Sequence, residues 1–245
     1  MTRVVTCITI LAIIGLVAAT GCEILPPPSP SGDGVYIFDG HTLNGWVQRG
    51  GQAHFSVQNG MIVGETVTDT PNSFLCTQRE YGDFSLDLEF LVDEGLNSGV
   101  QIRSQSLPDY KDGRVHGYQV EIDPSRKPYA GQPKNLLADG RPAPSTEPRA
   151  WTGGIYDEAR RGWLADLTRN EPARRAFRRA AWNHLRIEAV GDSIRTWING
   201  VPAADIKDNM TPKGFIALQV HSSDVAGLHV RFRNIHIQEI GPALR

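Results

Sequence analysis

Cysteine, net charge and helical periodicity are all scarce in this chain of 245 residues. With 25 basic and 27 acidic residues the formal charge is only -2, so no overall field is present to hold a polyanion such as a nucleic acid. No G-x-G-x-x-G motif occurs, and the pattern does not alternate between strands and helices. Both absences argue against a nucleotide-binding α/β fold.

Charge is almost missing from the N-terminal segment. Arg3 is the only charged residue among the first 21, and the stretch from Val4 to Ala19 has none. This apolar stretch is shorter than the ~20 residues that a membrane-spanning helix needs. A basic start, a short apolar stretch and small residues at its end predict a signal peptide over residues 1–21.

Cys22 follows Ala19-Thr20-Gly21, a junction that resembles a bacterial lipoprotein box. We therefore expect lipid on Cys22, with the exported protein tethered in the cell envelope, on the periplasmic or outer-surface side of a membrane. The alternative is ordinary secretion, with Cys22 in the discarded piece. Residues 22–34 are rich in Pro, Ser and Gly and predict a linker, so the folded domain is expected over 35–245. Cys76 is then left without a disulfide partner and is interpreted as a small buried apolar residue.

Period-two alternation of apolar and polar residues runs through this domain and predicts β-strands. The clearest runs are Phe84–Phe90, Val100–Ser104, Tyr118–Asp123, Leu185–Val190, Ile194–Ile198, Phe215–His221 and Val230–Gln238. Asn59-Gly60 and Asn199-Gly200 are typical of tight hairpin turns, which need two residues at positive φ. Many short strands joined by hairpins predict an all-β antiparallel sandwich.

One stretch breaks the alternation. Residues 123–154 contain six prolines, and a loop of this length in a compact domain is typically functional or disordered. A short helix is expected around 173–179. The arginine-rich segment between Glu158 and Arg179 is either a solvated surface or a lid over a polar substrate.

The pleat predicts one polar surface built from three strands. If these strands are neighbours, their polar rows combine Gln101, Arg103, Gln119, Glu121, Asp123, Gln219 and His221. Planar amides, carboxylates and Arg are the groups that recognise sugar hydroxyls, and Trp151 and Trp163 are candidates for stacking on sugar rings. The alternative is an ordinary solvated sheet face, which shows the same alternation.

The acidic and histidine residues suggest two further arrangements. Glu121 and Asp123 resemble the strand-borne carboxylates of laminarinase-type glycosidases, but the third acid of that pattern is replaced by Ser125, so that mechanism is rejected. His116, Glu121 and His221 are candidate ligands for a divalent metal. No spacing motif supports the metal, and no other cofactor is indicated.

Blocks of sequence spread over residues 35–240 together resemble the 3-keto-disaccharide hydrolase family. In order they read IFDGHTLNGW, YGDFSLDLEF, NSGVQIRS, HGYQVEID, GGIYDEARRGWL, WNHLRIEAVGDSIRTWINGV, GFIALQVHS and VRFRNIHI. The resemblance implies a concanavalin A-like jelly-roll sandwich, bacterial export and cleavage of glycosides oxidised at C3.

That activity requires a simple set of groups. A C3 ketone acidifies the C2 hydrogen, so the reaction needs a base, an electrophile for the enolate oxygen and an acid for the leaving group. We expect Glu121 or His221 as the base, and Arg103 or a metal at the ketone. Three residues of the block GGIYDEARRGWL are expected to close the site: Tyr156, Glu158 and Arg161. The alternative function is a non-catalytic carbohydrate-binding lipoprotein.

Overall fold

A computed structural model describes residues 33–125 and 151–241 of the chain. The predicted signal peptide, Cys22 and all but the end of the linker lie outside these residues, as does the part of the proline-rich loop from 126 to 150. The described residues form fifteen strands and one short helix. In chain order these are β1 (Val35–Tyr36), β2 (Trp46–Gly50), β3 (His54–Gln58), β4 (Met61–Glu65), β5 (Ser73–Tyr81), β6 (Phe84–Val92), β7 (Ser98–Gln105), β8 (His116–Ile122), β9 (Ile155–Glu158), β10 (Gly162–Ala165), α1 (Glu171–Ala176), β11 (Asn183–Val190), β12 (Ser193–Ile198), β13 (Val201–Lys207), β14 (Gly214–Val220) and β15 (His229–Glu239).

The strands pair into two antiparallel sheets. The first sheet has the order β13-β12-β11-β6-β15-β4-β3, with β1 added on β15. The second sheet has the order β10-β9-β8-β7-β14-β5-β2. This confirms the predicted all-β antiparallel sandwich.

The apolar rows of the alternating strands form the core between the sheets. In the first sheet Leu86 lies opposite Ile187 on one side and Ile237 on the other, and all three are almost fully buried. Val120 and Leu218 provide matching positions in the second sheet. Each such side chain contributes about 1.5–3 kcal/mol when it is fully removed from water. The polar rows therefore face away from the core on both sheets.

The hairpin turns follow the sequence prediction. Asn59 and Gly60 have φ of 49° and 75°, and Asn199 and Gly200 have φ of 48° and 81°. Both pairs occupy the left-handed region that a type I′ turn requires at its two central positions. These turns fix the register of β3 with β4 and of β12 with β13.

Strand β7 departs from simple alternation because it contains a β-bulge. It has one residue more than β8 between the pairs Ile102–Tyr118 and Gln105–His116, and one more than β14 over the same segment. The extra residue is accommodated by Arg103, whose φ is 45°. The period-two prediction beyond Ile102 is therefore wrong, and Arg103 does not join the row that contains Gln101.

The helix α1 lies close to its predicted place. It begins at Glu171, because the side chain of Asn170 accepts a hydrogen bond from Ala173 N at 3.2 Å and a proline occupies the first turn. Phe177 ends the helix and stacks on Phe90 of the core. Across 33–125 and 151–241, no helix has the length and apolar character needed to cross a membrane.

Candidate active site

The outer face of the second sheet holds a cavity of about 300 Å³. Five of its side chains come from the neighbouring strands β8, β9 and β10: Gln119, Glu121, Tyr156, Glu158 and Trp163. Gln119 pairs with Tyr156, and Tyr156 pairs with Trp163, so these side chains must project to the same side. Residues at strand ends and in loops complete the lining: Asn72, Asn97, Arg114, Ala159 and His221.

The carboxylate of Glu121 is held by amide donors on both oxygens. Asn97 Nδ2 donates to Oε1 at 2.5 Å, and Gln119 Nε2 donates to Oε2 at 3.0 Å. An ionised carboxylate only accepts hydrogen bonds, so this arrangement matches its needs. Glu121 is 3% exposed, and it reaches the cavity from a buried strand.

A directed chain of hydrogen bonds stands behind Gln119. Ser104 Oγ donates to Gln101 Oε1 at 2.7 Å, and Gln101 Nε2 donates to Gln119 Oε1 at 2.7 Å. This fixes the amide of Gln119 with its NH2 group toward Glu121. Gly99 makes room for it, since a Cβ there would lie 2.7 Å from Gln119 Cδ. Gln101 is fully buried and supports the cavity without lining it.

Glu158 has a different environment from Glu121. Burial raises the pKa of its carboxyl above the ordinary value, while Arg114, His221 and Asn72 partly oppose this shift. Arg114 Nη2 lies 3.5 Å from Glu158 Oε1, and the Arg114 side chain is itself 56% exposed. A buried carboxyl with a raised pKa is suited to donating a proton.

His221 follows the last residue of β14 and faces the cavity. Its Nδ1 lies 2.8 Å from the carbonyl oxygen of Ser222. Because a carbonyl oxygen only accepts, Nδ1 carries hydrogen, and Nε2 is the nitrogen left to exchange a proton. His221 therefore has the orientation of either a base or a donor.

The aromatic side of the cavity is formed by Trp163. Its ring meets Tyr156 edge to face at a centroid distance of 5.2 Å. Trp151 packs perpendicular to Trp163 at 4.8 Å and is 3% exposed. Trp163 thus contacts the cavity directly, whereas Trp151 supports it from within the core.

Arg103 is excluded from the cavity, which corrects the sequence prediction. Its guanidinium donates to Gly82 O, to Gly191 O and to Asp83 Oδ1, each at 2.8 Å. Gly191 belongs to the β11–β12 turn of the first sheet, and Gly82 to the turn that leads from β5 to β6. The fully buried arginine therefore ties the ends of the two sheets together.

Arg161 and Asp123 also lie outside the lining. Arg161 pairs with Asp157 at 2.5 Å and with Asp208 at 2.8 Å, because Asp157 points to the opposite side of β9 from Glu158. Asp123 is buried, and its carboxylate accepts from Ser125 N at 2.9 Å. The predicted contacts of these two side chains with substrate have no support in the geometry.

Gln219 lies on the expected face and is fully buried. It pairs with Phe74 of β5, so both side chains project to the outer side of the second sheet. Neither Nε2 nor Oε1 of Gln219 has a hydrogen-bond partner among the described residues. Gln219 thus shares the predicted polar face without lining the cavity.

The predicted metal ligands do not converge. His116 is 4% exposed, its Nδ1 lies 2.8 Å from Arg114 O, and its ring packs on Tyr110. It does not line the cavity that contains Glu121 and His221. Within the described part of the chain, no group of three metal-binding side chains comes together.

Cys76 is fully buried, and burial raises its thiol pKa to about 12, which agrees with its interpretation as a small apolar residue.

Four lining residues were missed by the sequence analysis: Asn72, Asn97, Arg114 and Ala159. Asn97 stands two residues before Gly99 and Asn72 two residues before Phe74, so extending the alternation of β7 and β5 by one step would have found both. Arg114 lies in the loop between β7 and β8, where no periodic signal exists.

Comparisons with known proteins agree with this architecture. The family model described as a 3-keto-alpha-glucoside-1,2-lyase-like domain matches residues 33–238. No curated protein matches the chain.

Solved structures at low sequence identity share the fold. A Bacillus subtilis protein of unknown function with a galectin-like fold has a TM-score of 0.58 and 12% identity, over 85% of this chain and 96% of that one. A candidate glycosyl hydrolase from Parabacteroides distasonis has a TM-score of 0.53 and 16% identity, over 83% and 92%. The exoplasmic/lumenal domain of VIP36, solved with Ca2+ and Man3GlcNAc, has a TM-score of 0.51 and 10% identity, over 83% and 87%.

Proposed function

Because the chain belongs to the 3-keto-alpha-glucoside-1,2-lyase-like family, we propose that it cleaves the glycosidic bond of 3-keto-glycosides by removing the proton on C2. The observation that carries this proposal is the pair of carboxyl groups in one cavity. Glu121 accepts two amide hydrogen bonds, whereas burial raises the pKa of Glu158. Two acids in different environments are suited to different roles in proton transfer.

The reaction proceeds through elimination. Glu121 takes the C2 proton, and the electrons of the C2–H bond form an enolate, with a double bond between C2 and C3 and negative charge on the C3 oxygen. As the C3 ketone forms again, these electrons make a double bond between C2 and C1 and the C1–O bond breaks. Glu158 gives its proton to the departing oxygen, so the leaving group departs as a neutral alcohol. Addition of water across the new double bond returns a proton to C2 and a hydroxyl to C1, and the net result is hydrolysis.

Negative charge develops on the C3 oxygen when the C2 proton is removed. Arg114 takes the role that the sequence had suggested for Arg103, because its guanidinium lines the cavity. A cation close to the developing enolate lowers the barrier to proton abstraction. Trp163 offers an aromatic face for the sugar, and Asn97 and Gln119 offer amides for its hydroxyls.

His221 is the second candidate for the base. Its Nε2 is the nitrogen left to accept a proton, and the residue lines the same cavity. The two assignments differ in which side chain the reaction cannot lose. Turnover of the Glu121→Gln and His221→Ala proteins on the same 3-keto-glucoside therefore distinguishes Glu121 from His221.

The decisive experiment uses a 3-keto-glucoside labelled with deuterium at C2. Proton abstraction predicts a slower release of the aglycone or exchange of the label with solvent. Retention of all the deuterium in the released sugar would contradict the elimination and point to ordinary glycosidic displacement.

A non-catalytic carbohydrate-binding role is the competing function. The polar cavity and a fold shared with the VIP36 domain favour it. A binding protein would leave the 3-keto-glucoside intact, so the same incubation separates the two functions.

We further propose that the protein acts outside the cytoplasm, anchored by lipid on Cys22. The sequence of the N-terminal segment supports this proposal. Mass spectrometry of the native N-terminus tests it: a diacylated Cys22 is expected, and an unmodified N-terminus beyond residue 22 would contradict the anchor.

A further inference from the structure

A line of four buried polar side chains runs beneath the cavity and ends at Glu121. It starts at Ser104, whose hydroxyl donates to Gln101 at 2.7 Å, and Gln101 donates in turn to Gln119 at 2.7 Å. Gln119 then donates to Glu121 Oε2 at 3.0 Å. Ser104 and Gln101 are fully buried and do not line the cavity, so they lie behind the surface that a substrate would touch.

The β-bulge of β7 brings Ser104 into this line. In an unbroken strand, residues three apart project to opposite sides of the sheet, so Ser104 and Gln101 would face different ways. The extra residue at Arg103 turns Ser104 to the outer face, where its hydroxyl reaches Gln101. The bulge that removes Arg103 from the polar row therefore adds a hydroxyl to it.

The charge at one end of the line sets the direction of every hydrogen bond in it. A carboxylate only accepts, so Gln119 must turn its NH2 group to Glu121 and its oxygen to Gln101. Gln101 must then turn its NH2 group to Gln119 and its oxygen to Ser104, whose hydroxyl donates. A reversed Gln119 amide would fill the same space but would place two acceptor oxygens against each other beside Glu121.

We propose, on the basis of the function above, that Gln101 and Ser104 are positioning residues, which act through Gln119 to hold the carboxylate of Glu121 in the orientation that removes the C2 proton. Asn97 holds Oε1 of this carboxylate at 2.5 Å, and the buried line holds Oε2. A base is efficient only at a defined distance and angle from its proton, so loosening one oxygen slows the reaction while the base itself remains.

The test is a cycle of four proteins that combines Gln101→Met with Glu121→Gln. Methionine keeps the length of the side chain and removes its hydrogen-bonding groups, while the Ser104 hydroxyl retains Ile102 O as an acceptor at 3.1 Å. With Glu121 present, Gln101→Met should lower kcat on a 3-keto-glucoside by about ten-fold. In the Glu121→Gln protein the same change should alter kcat by less than about two-fold, because the group being positioned is gone.

Gln219→Met is the matched control. Gln219 is equally buried on the neighbouring strand β14 and on the same outer face, and its amide has no hydrogen-bond partner among the described residues. The same chemical change there should leave kcat unchanged. Urea midpoints for all variants give kcat per folded molecule. If Gln101→Met does not fold, Ser104→Ala takes its place in the cycle, with an expected loss of about three-fold for one neutral hydrogen bond behind the base.

An unchanged kcat in the folded Gln101→Met protein would overturn the positioning role while the cleavage reaction stands. An equal loss with and without Glu121, or an equal loss in Gln219→Met, would overturn it as well, since either result describes a general disturbance of the sheet. If the unmodified protein releases no aglycone, the proposed function fails and the positioning role fails with it.

Discussion

The outer faces of the two sheets show the same alternation of polar residues in the sequence, but their carboxylates have different partners. On the first sheet, the carboxylate of Asp87 lies 3.0 Å from His184 Nε2 and 3.3 Å from Arg186 Nη1. The carboxylate of Glu188 forms ion pairs with Arg186 and Arg195. On the second sheet, Glu121 is held by neutral amides, and Glu158 is buried. Arginines from the facing strand cover the carboxylates of the first face, while the second directs two carboxyl groups into a cavity that Arg114 also lines, 3.5 Å from Glu158.

Cross-strand partners explain this difference. In the first sheet Asp87 lies opposite Arg186, and Glu188 lies opposite Arg195. In the second sheet Glu121 lies opposite Gly99, and Glu158 lies opposite Gly117. An arginine across the strand closes over its carboxylate as an ion pair, whereas Gly99 leaves room for the side chain of Gln119, which donates to Glu121. The register thus decides which carboxylates can face a substrate.

The largest expected effect comes from Glu121→Gln. Loss of the base should lower kcat on a 3-keto-glucoside by about 100-fold or more. Glu188→Gln makes the same chemical change on the first sheet and should leave kcat unchanged. Steady-state assays on both variants provide the test, and equal losses in the two would contradict the assignment of Glu121.

Glu158→Gln should lower kcat by about 10- to 100-fold, since the leaving oxygen loses its proton donor. Because burial raises the pKa of Glu158, the folded protein binds this proton more tightly than the unfolded chain. Its contribution to the free energy of unfolding is complete below the ordinary pKa of 4.5 and is lost as the pH rises through the raised value.

Urea unfolding at a series of pH values tests this linkage. The Glu158→Gln protein should lose less stability than the unmodified protein as the pH rises above 4.5. A steeper loss in the variant would contradict the direction of the pKa shift. In the unmodified protein, kcat should also fall as the pH rises through the raised pKa.

Arg103→Met should affect stability rather than catalysis. Removing the guanidinium leaves two carbonyl oxygens and the carboxylate of Asp83 without this donor, which should cost about 3 kcal/mol of unfolding free energy. The kcat per folded molecule should stay within about two-fold. A large fall in kcat with an unchanged urea midpoint would contradict this and assign Arg103 to the active site.

Arg195→Gln should have the smallest effect. Arg195 is 47% exposed, and its ion pair with Glu188 should contribute less than about 1 kcal/mol. Thermal unfolding and the turnover assay should both remain close to those of the unmodified protein. A large loss of turnover would mean that the first sheet takes part in the reaction.

Alternation in the sequence was sufficient to predict the sandwich, its hairpin turns and the shared face of Gln101, Gln119, Glu121 and Gln219. It failed at Arg103, because a bulge inserts a residue without any change in the apolar pattern before it. It could not exclude Arg161, whose position depends on Asp157 and on Asp208 from a distant segment. Alternation in the sequence could not predict Arg114, since the side chain of a loop residue enters the cavity through tertiary packing alone.

The two glycines opposite the carboxyl groups also bear on how this cavity can change by mutation. Every amino acid that one base change can substitute for glycine adds at least a Cβ atom. That atom would lie 2.7 Å from Gln119 Cδ at position 99 and 2.8 Å from Ser104 Cα at position 117. A single base change at either glycine codon that changes the amino acid therefore forces a side chain against Gln119 or Ser104, and a saturation library should tolerate alanine at many core positions before it tolerates alanine at Gly99 or Gly117.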